Sequence, residues 1–122
     1  MNHILIVEDE TYLQKALLDN LSSKGYTADT AVNGEEALEK IKIKKPDLIL
    51  LDLLMPKMDG FEVLRVLKAN EQTEHIPVIV LTNVENSKDI AKTIELGATT
   101  YLVKVNYSLD DLMVKVQEAL IK

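Results

Sequence analysis

The chain has 122 residues, 47% apolar and 28% charged, a size and balance that support one globular domain. Twenty acidic against fourteen basic residues give a net charge of −6 at pH 7, which argues against direct binding to a nucleic-acid backbone, and the lack of cysteine excludes disulfide frameworks, zinc–thiolate sites and thiol nucleophiles. The longest apolar runs, at 48–51 and 76–81, fall short of the ~20 residues of a bilayer span, and the start MNHILIVEDE lacks a basic segment before an apolar one. The expectation is therefore a protein without a signal peptide or membrane contact, in a reducing cytoplasm.

Five apolar runs alternate with five helical patterns. The first run, Ile4–Val7, leads into Glu8 and Asp9. The helix after it carries Leu13, Leu17 and Leu21 four apart, with Gly25 placed to stop it and Asp9 a candidate cap. A weaker strand follows at 26–32. The second helix opens with Asn33-Gly34-Glu35-Glu36, a capping-box variant, and closes in Lys42, Lys44 and Lys45 before Pro46. The third strand, Leu48–Leu51, ends at Asp52, and the third helix starts near Asp59-Gly60, with Leu64 and Leu67 facing inward. The fourth strand, 77–81, runs into Thr82. Its helix is expected to turn Ile90 and Ile94 inward and to stop at Gly97. The fifth strand, 100–103, leads to Lys104. The last helix begins at Ser108 and bears one apolar stripe: Leu109, Leu112, Met113, Val116 and Leu120.

The runs ILIV, LILL and VIVL are continuously apolar, as strands buried on both faces of a parallel sheet are. Five β-α units predict a doubly wound (βα)5 α/β domain of the flavodoxin-like type, with sheet order 2-1-3-4-5 and helices on both faces. In such sheets ligands bind at the carboxyl ends of the strands, at the switch point of strand order. That order makes strands one and three neighbours and brings Glu8, Asp9 and Asp52 together, with Thr82 and Lys104 beside them. Two like charges ~5 Å apart repel by about 3 kcal/mol at an effective dielectric of roughly 20. Lys104 can offset one of them. A hard divalent cation such as Mg²⁺, which takes one or two carboxylates, waters and a phosphate oxygen, offsets more and draws in a phosphoryl group. Asp52 then becomes a candidate nucleophile. Singly, each acid also fits a helix cap or a solvated loop charge, and Thr82 and Lys104 fit a turn and a surface lysine. It is the set, each member at a strand's carboxyl end, that favours the functional reading. His3 and His75 flank strand starts at the opposite edge and read as structural.

These residues resemble a known family. ILIVEDE at 4–10, PDLILLDLLMPKMDGFEVL at 46–64, PVIVLTN at 77–83 and GATTYLVK at 97–104 are similar to the response-regulator receiver domains of two-component signalling, and the likeness covers essentially the whole chain. The spacing of Asp52, Pro56 and Met58-Asp59-Gly60 is its most specific part. The resemblance implies a phosphoacceptor at Asp52, supplied by a sensor histidine kinase or a histidine phosphotransfer protein. It implies Mg²⁺, with Mn²⁺ able to substitute, bound by the carboxylates of Asp9 and Asp52, the backbone carbonyl of Leu54 and, through a water, Glu8. Lys104 would contact the phosphoryl oxygen and, before modification, Asp52. Thr82 would turn its hydroxyl to the phosphoryl group, and Tyr101 would be the aromatic switch. The output would be a shift of the fourth helix, fifth strand and fifth helix toward a downstream effector protein or domain, or toward a second copy of the chain. Residues 1–122 would form one receiver domain without an output domain, catalysing nothing beyond its own phosphorylation and dephosphorylation. The alternative is a receiver-like interaction module that is never phosphorylated.

Four positions depart from the family pattern. Val105 replaces the usual proline after Lys104, which predicts a trans Lys104–Val105 bond and a looser loop at 105–107. Asn83 replaces a small residue and must point away from the site. Leu54 and Val84 stand where polar side chains often do; neither can orient a water, which predicts slow self-dephosphorylation. Enzymes on the same fold fit less well. Glu8 and Asp9 would repel a flavin phosphate, Leu54 replaces the second Asp of a dehalogenase-type phosphatase, and no P-loop sequence is present.

Overall fold

A computed structural model describes residues 2–55, 58–83 and 87–121, with the side chain of Val105 left aside. Five strands, β1 (His3–Val7), β2 (Thr27–Ala31), β3 (Leu48–Leu51), β4 (Val78–Thr82) and β5 (Thr100–Val103), alternate with five helices, α1 (Thr11–Ser23), α2 (Gly34–Ile43), α3 (Gly60–Lys68), α4 (Ser87–Glu95) and α5 (Leu109–Leu120). All strand pairs are parallel and the sheet order is β2-β1-β3-β4-β5, the predicted one.

The continuous apolar runs are explained by two cores, one on each face. Ile4, Ile6, Leu48, Leu50, Ile79 and Leu81 face Leu17 and Leu21 of α1 and Leu112, Met113 and Val116 of α5. Leu5, Val7, Ile49, Leu51, Val78 and Val80 face Ala37 and Ile41 of α2 and Val63, Leu64 and Leu67 of α3. Alternate residues of one strand thus serve opposite layers, so both faces of these runs are apolar.

Helix ends follow local chemistry. Asn33 Oδ1 accepts from Glu36 N at 2.9 Å while Glu36 Oε1 accepts from Val32 N at 2.9 Å, a reciprocal cap at α2. Asp59 and Ser108 cap α3 and α5 through Glu62 N and Asp111 N. The Asp9 cap is not formed: Glu10 takes the N-cap position of α1 without a side-chain bond. Gly25 and Gly97, with φ of +90° and +110°, supply the left-handed turns that end α1 and α4.

Two other expectations need correction. β4 includes Thr82, in register with Val103, and begins one residue later than predicted because Pro77 cannot donate to a ladder. On α4 the inward residue is Thr93, fully buried, whereas Ile94 is 48% exposed. Thr93 can be buried because its Oγ1 donates to Asp89 O at 2.7 Å, within its own helix. After β5 the chain forms a 3-10 turn at Lys104–Asn106, with Tyr107 N donating to Lys104 O at 3.4 Å. The Lys104–Val105 bond is trans, as predicted, since no described peptide bond is cis.

One close approach seats the site. Gly60 N donates to Leu53 O at 3.0 Å, and a Cβ added at Gly60 would meet the carbonyl oxygen of Asp52 and lie 2.7 Å from Leu53 Cα. Both obstacles are backbone, so the first turn of α3 can rest against the Asp52–Leu53 segment only if residue 60 has no side chain. Gly60→Ala is expected to lower the unfolding free energy by about 1–3 kcal/mol, measured by urea denaturation.

Candidate functional site

The site begins with register. Val7 lies opposite Leu51 in the β1–β3 ladder, so the next residues, Glu8 and Asp52, leave the sheet side by side. Their backbones stay tied to the sheet: Asp52 N donates to Val7 O at 3.0 Å, and Glu8 N to Ala31 O at 2.9 Å. Glu8 is 2% exposed, Asp52 5%, and Asp9 open to solvent. One carboxylate oxygen from each of the three lies within 4.8 Å of the others, a spacing at which a single cation can be shared.

Lys104, delivered by the end of β5, reaches across this cluster. Its Nζ is 2.8 Å from Glu8 Oε1 and 3.2 Å from Asp52 Oδ2. The Asp52 contact was anticipated from the resemblance; the closer Glu8 contact was not. Asp52 Oδ1 also accepts from Leu54 N at 3.3 Å, and Glu8 Oε2 from Glu10 N at 3.2 Å. Burial pushes the Glu8 carboxyl up. Its hydrogen bond with Lys104 pulls it back, the charge of Asp52 pushes it up again, and it settles at about 7. For Lys104, burial lowers the pKa, but the hydrogen bond to Glu8 and the charge of Asp52 outweigh that and raise it.

Thr82, at the end of β4 beside β3, is fully buried, and its Oγ1 has no hydrogen-bond partner. A buried hydroxyl left without a partner carries a desolvation cost that nothing in the resting fold offsets. Tyr101, on β5 opposite Val80, is half-buried against the core on the α2–α3 side. Leu54 is 60% exposed and Asn83 is exposed. Val84 and Pro56 lie outside the described residues. His3 stands at the far edge, where its Nδ1 is 3.0 Å from Thr27 Oγ1.

A further polar residue escaped the sequence reading. Gln14 of α1 is buried, and its Nε2 donates to the carbonyl of Glu8 and lies 3.5 Å from that of Ala31. The signal was available: Gln14 shares the inward face of α1 with Leu17 and Leu21, three and seven residues on.

The model of the response regulator receiver domain matches residues 4–117. The chain belongs to that family. Curated relatives include the alkaline phosphatase synthesis transcriptional regulatory protein PhoP of Bacillus subtilis, 43% identical over 83% of this chain and 41% of its own length. The chain spans about half the length, or less, of the curated relatives it matches. Among solved structures, chemotaxis protein CheY4 of Vibrio cholerae superposes with a TM-score of 0.91 at 30% identity, over 98% of this chain and 99% of that one. The Mn²⁺-bound form of response regulator Rcp1 superposes with a TM-score of 0.84 at 33% identity, over 97% of this chain and 91% of that one. The receiver's acidic group, Glu8, Asp9 and Asp52, fits a receiver metal site. Among the described residues no helix is long and apolar enough to cross a membrane.

The raised Glu8 pKa sets a pH dependence for the metal-free receiver. Its folded value, about 7, lies above the ordinary 4.5, so between these pH values the folded state holds more protons than the unfolded one. The stability Glu8 contributes is full below about pH 4.5 and is lost as pH rises through about 7. Urea unfolding in chelator should show this decline, and Glu8→Gln should flatten it.

Proposed function

We propose that this receiver accepts a phosphoryl group on Asp52 from a phosphohistidine and relays that event to a partner protein. The observation that carries the reading is the three-carboxylate cluster within 4.8 Å, with Lys104 held on Asp52 and the unpartnered Thr82 hydroxyl on the adjacent strand.

A divalent cation, Mg²⁺ or Mn²⁺, would be held by Asp9 and Asp52 directly, by the backbone carbonyl of Leu54, and by Glu8 through water; the donor set is all oxygen, as both ions prefer. When bound, the ion offsets the carboxylate charge that otherwise repels a phosphoryl group. The rest is done by the chain. An Asp52 carboxylate oxygen attacks phosphorus in line, the phosphorus–nitrogen bond breaks, and its electron pair returns to the imidazole of the donor. Lys104 exchanges its carboxylate contact for a phosphoryl oxygen, and Thr82 donates its hydroxyl to another. Hydrolysis of the aspartyl phosphate restores the start. On this reading the receiver catalyses only its own modification and reversal, in the cytoplasm, where its phosphodonor works.

The output surface would be α4, β5 and α5. What supports this is how lightly α4 is held: Thr93 is its one buried residue among those described. A phosphoryl group biases such an element only by interacting differently with its two positions, and Thr82 and Tyr101 would report the difference. The effector would be a separate protein or an output domain, consistent with relatives named as transcriptional regulators that are about twice as long. A second copy of the chain could use the same surface.

Incubation with Mg²⁺ and acetyl phosphate, or with a phosphorylated histidine phosphotransfer protein, is expected to add the mass of one phosphoryl group. Asp52→Ala should abolish the gain. No gain from either donor type would leave the unphosphorylated interaction module as the better reading. Leu54, exposed beside Asp52, cannot orient a water. Phosphoryl loss in Mg²⁺ should therefore be slow in the parent chain and severalfold faster in Leu54→Asn, measured by the decay of the modified mass.

A further inference from the structure

We infer that Gln14 is a positioning residue for the divalent-cation site, fixing Asp9 through the backbone of Glu8; this rests on the metal-dependent reading above. The argument starts from what does not hold Asp9. Its side chain is exposed, caps no helix, and makes no hydrogen bond or ion pair among the described residues. Yet one of its carboxylate oxygens stays within 4.8 Å of those of Glu8 and Asp52. The backbone must therefore place it.

That backbone leaves the sheet at Glu8. The carbonyl of Glu8 belongs to the peptide joining Glu8 to Asp9, and the Gln14 amide donates to that carbonyl. The plane of the peptide, and with it the departure direction of Asp9, is set by this bond. Gln14 Nε2 also lies 3.5 Å from Ala31 O, which accepts from Glu8 N at 2.9 Å. One buried amide thus bridges the carboxyl ends of β1 and β2, just where the metal-side turn begins. The turn closes on the same helix, since Gln14 N donates to Glu10 O at 3.0 Å. An apolar residue would satisfy the α1 packing as well as Leu17 and Leu21 do. An amide here is explained by the carbonyls it serves.

Residues that orient the ligands of a metal, without touching it, typically change affinity by about 10–100-fold when removed. Gln14→Met keeps length and burial but removes the donor. Isothermal titration with Mg²⁺ is expected to show binding weakened by about 10–100-fold in Gln14→Met. Equal affinity in the two proteins overturns the positioning role and leaves the metal-dependent reading intact. Absence of binding by the unaltered chain overturns that reading and this inference with it. A second measurement covers a variant that does not fold. In the ¹⁵N spectrum of the unaltered chain, the side-chain amide of Gln14 should shift during Mg²⁺ titration while those of Gln72 and Gln117 stay. A Gln14 signal that stays with them through saturation overturns the proposal.

Discussion

The parallel pairing of β1 with β3 is the constraint on which the site rests. Because Val7 stands opposite Leu51, the polar residues that follow each run emerge together, and no side-chain contact is needed to bring them there. The outcome is electrostatically unfavourable. Two acids are nearly buried and a third is close by, against one ammonium. The layers of apolar contact on either side of the sheet hold the strands in register despite that repulsion, and Lys104 reduces it. A pocket balanced in this way fits a cation and, on the reading proposed above, would take a phosphoryl group through it.

Support for the pocket is supplied mainly from behind. Gly60 lets α3 abut the Asp52–Leu53 backbone, Gln14 of α1 ties the end of β1, and Lys104 spans from β5 to both neighbouring acids. Each comes from a different element, so the geometry at Asp52 depends on the whole sheet being assembled. Among the buried side-chain polar atoms of the described residues, Thr82 Oγ1 is the one left without a hydrogen-bond partner. The helix beyond it, α4, keeps Lys92 4.8 Å from the Phe61 ring of α3 and buries little else. Support under the acids from several elements and light attachment beyond the threonine agree with the proposed reading, in which a chemical group is held still while a surface moves.

Much of this could be read from residue order. The runs ILIV, LILL and VIVL mark strands with two buried faces, and Asn33, Asp59 and Ser108 announce helix starts, because both signals are local. The positions of Glu8, Asp52, Thr82 and Lys104 at the carboxyl ends of the apolar runs were legible for the same reason: each directly follows such a run. What could not be read depends on packing between elements. Spacing alone placed Ile94 inward on α4, but the buried face there is centred on Thr93, whose hydroxyl finds a partner in its own helix. Asp9 resembles a cap, yet its chain turns toward the acids and Glu10 takes the cap position. The contact of Lys104 with Glu8 and the bridge made by Gln14 both cross from one element to another, and no periodicity encodes them.

Leu54 touches Asp52 through its backbone N–H, while its side chain stands 60% exposed. The peptide unit is indifferent to which amino acid carries it. Position 54 is therefore open to substitution without disturbing the assembly that surrounds it, and on the reading proposed above a change of that one outward-pointing group would alter how long a signal persists while leaving the timer's housing untouched.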